Sequence, residues 1–359
     1  MEEKGVIAII LSIVFILAIA IFFAAKNLSN SSAELEKCNT IKFNGEGKTN
    51  VVFFSSKENA EKSINNFFEI SPFDKNKENF NFYSIDYNPE CELYQGIAVL
   101  CYSKELVKKA GSCPNDYIVV LDDQPNSIRS STYMNVISLN SKNHPNVFAH
   151  EFGHAFANLA DEYVPAKIPK GSKNCAGSCD DFNNLGECMK GCSDDSHYRS
   201  INQGLMRTLS VNTFGQFNEE IISSNIKKTA GITGNAIQNS RDCKNEQYYL
   251  IEGALEGGDI KITSKTIESG CVGGNGVGPF SYNLVLENNQ PAVSEDFNPE
   301  LIFTDEVNET QISGGPRDYS GEFLLKVPIV DKSSKLEIIN EKKKTEINLR
   351  DIGSRPCAI

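Results

Sequence analysis

Histidine is scarce in this chain: there are four in 359 residues, and none beyond position 197. A site built on imidazole is therefore confined to the first part of the sequence. Positive charge is also in deficit. Thirty-five Lys and Arg against 47 Asp and Glu leave a net charge of −12 and a pI of about 5.0. That balance argues against a nucleic-acid binder and gives an acidic, soluble surface. The chain start, Met1-Glu2-Glu3-Lys4, lacks the basic stretch that opens a cleavable signal peptide. Apolar residues are not lacking. At 40% of the chain they suffice for two domains with their own cores.

Two of the four histidines fall in one pentapeptide, His150-Glu151-Phe152-Gly153-His154, which reads H-E-x-x-H. With so few histidines, the odds of this pattern arising by chance are on the order of a few in a thousand. A solvated helix face is thus the weaker explanation. Residues at i and i+4 share a helix face, so the two imidazoles can reach one ion. Glu151 lies beside the first of them. From there it can take a proton from a water on that ion without being a ligand itself. Val147, Phe148, Phe152, Ala155 and Phe156 are apolar or small, as a helix buried beneath a cleft requires. Pro145 suits a first helical turn, where its missing N–H is not needed.

Two ligands do not hold a catalytic zinc; three protein ligands and one open position is the usual set. On an unbroken helix Asp161 would stand roughly 10 Å beyond His154 along the axis, too far to share the ion. The helix must end before it, and Asn158 tolerates the left-handed conformation that ends helices. Asp161 is the first choice for third ligand, with Glu162 and His197 as alternatives. A capping or supporting carboxylate is the bland role for Asp161.

The run from His150 to Tyr163 resembles the active-site segment of the IgA-peptidase-like zinc metallopeptidases, metallopeptidase family sixty-four, which are themselves metzincin-like. Members have a metal helix, a break, a third ligand and a later methionine-containing turn. Where they carry small residues, often paired glycines, this chain has Ala157-Asn158. His197 to Arg207 is similar to the methionine-turn region, with Met206 as the matching residue. The resemblance covers roughly residues 45–230. It implies a zincin-like α/β domain, Zn²⁺ as cofactor held by His150, His154 and Asp161, Glu151 as general base, and Met206 as an apolar floor rather than a ligand.

Residues 6–25 form one apolar run interrupted only by Ser12, about the length a bilayer-spanning helix needs. Residues 1–26 are therefore expected to be an uncleaved signal anchor, and the polar residues 27–40 a tether. Eleven cysteines beyond that segment suggest an oxidising exterior. The odd count leaves at least one unpaired or intermolecular. Sequons begin at Asn27, Asn30 and Asn308. The body of the protein is expected outside the cell, single-pass and membrane-tethered.

Residues 41–240 are expected to form the zinc peptidase domain. Strands are expected at 50–54, 80–85, 97–100, 117–121 and 133–139, and a helix over 57–69. Strand–helix alternation of this kind gives a mixed sheet. The stretch 133–139 is the candidate edge strand for binding substrate as an added strand. Within 170–195, Cys175, Cys179, Cys188 and Cys192 read C-x3-C-x8-C-x3-C. The i,i+4 spacing suggests two short helices riveted by two disulfides, with a second, structural zinc as the rival. From 241 to 359 seven short strand-like runs separated by Gly, Asn, Asp and Pro suggest a β-sandwich-like accessory module. It has no catalytic constellation, and its Cys243, Cys271 and Cys357 have no assignable partners.

The resulting expectation is a metalloendopeptidase acting on protein or peptide substrates. Tyr163 and Tyr198 are candidates to stabilise the oxyanion. The alternatives are an inactive zincin-like surface protein that recognises protein or glycan through its C-terminal module, and a zinc exopeptidase.

Overall fold

The computed structural model describes residues 35–232, 243–256, 258–308, 311–319, 321–340 and 343–350. The apolar run 6–25, the sequons at Asn27 and Asn30, Cys357 and most of the sequon beginning at Asn308 lie outside them. Among the described residues no helix is long and apolar enough to cross a membrane.

The chain enters its first sheet at β1 (Cys38–Lys42), which begins inside the stretch expected to be tether. There β1 pairs with a later strand and Cys38 is disulfide-bonded to Cys113, which is why these polar residues are ordered. β2 (Thr49–Phe54) leads into α1 (Lys57–Phe67). The Ser56 side chain caps α1 by accepting from the Asn59 N–H, and Ala60, Ile64 and Phe67 form its buried face. β3 (Phe80–Ile85), β4 (Glu92–Tyr94), β5 (Ala98–Leu100), α2 (Lys104–Ala110), β6 (Tyr117–Asp122), β7 (Ser130–Tyr133) and β8 (Val136–Asn140) precede α3 (Val147–Ala157), the H-E-x-x-H helix. β9 (Met189–Cys192), β10 (Asp194–Arg199) and α4 (Gln216–Ile232) complete this half.

The later strands are β11 (Gln247–Glu256), β12 (Asp259–Ser269), β13 (Phe280–Leu286), β14 (Pro291–Phe297), β15 (Leu301–Asn308), β16 (Gln311–Gly314), β17 (Arg317–Asp318), β18 (Glu322–Pro328), β19 (Ser333–Asn340) and β20 (Lys343–Asn348). All seven strand-like runs expected after residue 240 are strands. The polar segments β14, β16 and β17 lack the apolar alternation that would have marked them.

The fold is mixed α/β with few helices. One large sheet runs β1-β3-β2-β6-β8-β7-β15-β16, and β17 also pairs with β15. β3, β2, β6 and β8 are parallel; β1, β7 and β15 join antiparallel. The parallel centre explains the near-continuous apolar runs of β2 and β6, which are covered on both faces. β11, β12 and β18 form a three-stranded sheet, and β13, β14, β19 and β20 a four-stranded one.

Two expectations need correction. Residues 133–139 are not one edge strand: the chain turns at Met134, which has positive φ, between β7 and the internal strand β8. Pro145 lies before the helix rather than in its first turn, because Asn146 is the N-cap. The Asn146 amide is spent on the Leu209 and Val211 carbonyls and on the Asn212 side chain, which ties the helix start to the loop before α4.

Candidate metal centre

Every residue of α3 is buried. One face packs into an aromatic core: the Phe152 ring meets Phe67, Phe73, Phe80, Tyr117, Phe148 and Phe156. His150 and His154 point away from that core. The His150 Nδ1–H donates to the Leu205 carbonyl at 2.9 Å, and the His154 Nδ1–H to the Leu159 carbonyl at 2.7 Å. A carbonyl can only accept, so the proton of each neutral ring is on Nδ1 and each Nε2 presents its lone pair. The two Nε2 atoms are 3.3 Å apart.

α3 stops as the sequence suggested. Asn158 adopts φ 50°, ψ 38°, the left-handed C-cap conformation. The chain reverses and brings Asp161 back. Its Oδ1 lies 3.3 Å from His150 Nε2 and 3.4 Å from His154 Nε2. Of the three candidate third ligands, this is the one joined to the histidines. The Glu162 carboxylate accepts from the Asn174 and Asn218 amides instead, and burial pushes it up to about 7. The half-exposed His197 pairs with Asp194 on the β9–β10 hairpin.

The fit to a divalent ion can be tested on these separations. Tetrahedral coordination with bonds of about 2.0–2.1 Å puts adjacent ligand atoms about 3.4 Å apart. The three observed separations are 3.3, 3.3 and 3.4 Å. Both Asp161 oxygens are buried without a hydrogen-bond donor. A buried carboxylate facing two lone pairs is costly unless a cation sits among them. His150, His154 and Asp161 therefore fit a metal ion.

The Thr132 hydroxyl on β7 donates to Glu151 Oε2 at 2.7 Å, so the carboxylate beside the first histidine has a fixed orientation. Met206 packs its sulfur onto α3 where Gly153 makes room; a Cβ there would come within 3.0 Å of Sδ. Its backbone also matters, since the Met206 carbonyl accepts from the Glu162 N–H at 2.8 Å. Tyr163 belongs to the large core cluster, and Tyr198 packs in a small one with Ala176, Phe182 and Phe217.

The cysteine-rich insertion pins Asp161 beside the histidines. Asn174 makes a two-way bond with the Ala160 peptide, at 2.7 and 2.8 Å, and the Ser193 hydroxyl donates to the Asp161 carbonyl at 2.6 Å. The bond Cys175–Cys192 packs against Ala160. Cys179–Cys188 lies nested inside it. The expected two disulfides are there, but the paired helices are not. Cys179 opens a 3₁₀ turn over Cys179–Phe182 and Cys192 ends β9, while Cys175 and Cys188 lie in irregular segments. Cross-links fix positions whatever the local conformation, so cysteine spacing was a poor guide to it. Cys91–Cys101 and Cys243–Cys271 bring the described bonds to five.

Thr132, Asn174, Ser193 and the two accepting carbonyls were not singled out from the sequence. Nothing in their local spacing marks them; each becomes a neighbour through pairing or cross-linking distant in the chain. No protein-family model and no curated protein matches this chain.

Proposed function

We propose that the protein is a zinc-dependent metalloendopeptidase acting on extended protein or peptide segments. In this reading residues 41–240, with β15–β17 completing their sheet, form a zincin-like domain, and the seven strands of the two C-terminal sheets form a sandwich-like module. Five disulfides support an extracytoplasmic setting, consistent with a membrane anchor at residues 6–25. One observation carries the proposal: three buried donor atoms of H-E-x-x-H plus Asp161 at tetrahedral spacing, with an uncompensated carboxylate among them.

Zn²⁺ held by His150, His154 and Asp161 would supply a Lewis acid and lower the pKa of a water to near neutrality. The chain's own groups do the rest. The Leu205 and Leu159 carbonyls hold both imidazoles in the tautomer that leaves Nε2 basic. Thr132 holds the Glu151 carboxylate in one orientation. Glu151 accepts the water's proton and returns it to the leaving amine.

The test uses metal analysis and mapped cleavage of casein. Wild type should carry one zinc per chain, and Asp161→Ala should lose it. Glu151→Gln should keep the zinc while cleavage drops by about 10²–10⁴-fold, the usual worth of a positioned base. Undiminished cleavage by Glu151→Gln would sink the mechanism.

A further inference from the structure

The centre lies beneath a strand from the far end of the chain. β7 is the strand of the N-terminal half next to the metal helix, and its Thr132 touches Glu151. The edge of β7 away from β8 is taken by β15. The register pairs Ile302 with Tyr133, Phe303 with Thr132, Thr304 with Ser131 and Asp305 with Ser130. Residues opposite one another share a sheet face. Phe303 therefore points, like Thr132, toward α3. Its ring stacks on His154 at 4.1 Å and 22°.

The returning chain closes the other side. The Gly315 N–H donates to the Thr304 carbonyl at 3.1 Å. Gly315 has φ +102° and lies so near the centre that a Cβ would stand 3.4 Å from Asp161 Oδ2. His150, Glu151 and Asp161 are fully buried and His154 nearly so. An extended peptide reaches such a centre by adding as a strand to the edge beside it, through main-chain hydrogen bonds. Here that edge is already filled by this chain's own residues.

We propose that β15, with Gly315 laid along it, is an autoinhibitory strand standing in the place of an extended peptide substrate. The fold described above is then the latent form, and the centre opens when β15 leaves β7. The inference rests on the peptidase reading for what it blocks. The cover itself rests on the register, the Phe303 stack and the Gly315 approach.

The experiment compares three forms of the full chain. The wild type is set against a pinned form, Ser131→Cys with Thr304→Cys, which cross-links paired residues on the sheet face away from α3. The single-cysteine variants control for packing, and thermal unfolding checks folding. The third form, Phe303→Ala, removes the stack on His154. Two rates are read: stripping of bound zinc by dipicolinate, and cleavage of a quenched fluorogenic peptide. Loss of one buried aromatic should raise both rates at least about tenfold in Phe303→Ala. The pinned form should be slowest in stripping and should not cleave. Equal stripping and cleavage in all three forms overturns the inference and leaves the peptidase reading standing. The expected order of stripping without cleavage in any form upholds the cover and overturns the peptidase reading. A chain that takes up no zinc overturns both.

Discussion

Lys326 on β18 is buried to 2% exposure. Its ammonium donates to Asn115 Oδ1 at 2.8 Å and lies 5.3 Å from the Tyr248 ring centre. Burial pushes it down to about 7, while the Asp116 charge acts in the opposite sense. Its folded pKa is thus below the ordinary value of 10.5. Between these two values the unfolded chain binds more protons than the folded one. Stability must rise with pH across that window, and the whole penalty is present below about 7. Lys326→Met should remove this rise and stabilise the fold at pH 7 by on the order of 2 kcal/mol, once the lost hydrogen bond is set against the relieved burial. Thermal midpoints at pH 7 and pH 9.5 check it; a variant with the wild-type slope refutes it. The contrast with Asp161 is instructive. Lys326 has a neutral acceptor at hand, whereas both Asp161 oxygens lack a donor. That is why the first reads as structural and the second fits a metal ion.

α3 serves two masters through its two faces. One carries the histidines, and the other locks the helix into an aromatic layer that also includes Phe53, Phe67 and Phe73. Phe152 touches six rings of that layer. Phe152→Ala should therefore cost about 3–5 kcal/mol, the usual range for emptying an aromatic site in a close-packed core. Urea unfolding measures this, and a loss below about 1 kcal/mol would show that the layer collapses freely. The helix itself was legible in the sequence because period and terminators agreed: apolar residues lined one side, and Asn158 supplied the left-handed stop. β7 was not legible as a separate element. Met134 looks like one more apolar residue in a continuous run, and nothing in the sequence marks its positive φ.

The two halves of the chain share one sheet, because β15 extends the order that begins at β1. Tyr133, Met134 and Leu100 belong to a core cluster whose other members, such as Phe280, Phe297 and Phe323, come from beyond residue 240. The Tyr133 hydroxyl reaches the Pro299 and Glu322 carbonyls. A fragment ending at residue 240 would expose an unpaired sheet edge and an apolar face together, so it should aggregate. Size-exclusion chromatography of residues 35–240 checks this; a monodisperse fragment that unfolds cooperatively would refute it. The amino-acid order alone determined the H-E-x-x-H helix, its stop, the two histidines with the glutamate between them, and the central strands. Those features depend on contacts within one turn of helix or one strand, where spacing dictates geometry. Tertiary structure alone brought Asp161, rather than Glu162 or His197, against the two histidines, brought Thr132 to Glu151, and laid Phe303 over His154. Each of these contacts joins residues whose separation along the chain carries no periodic signal, so only the closing of the sheet and the disulfides could fix them.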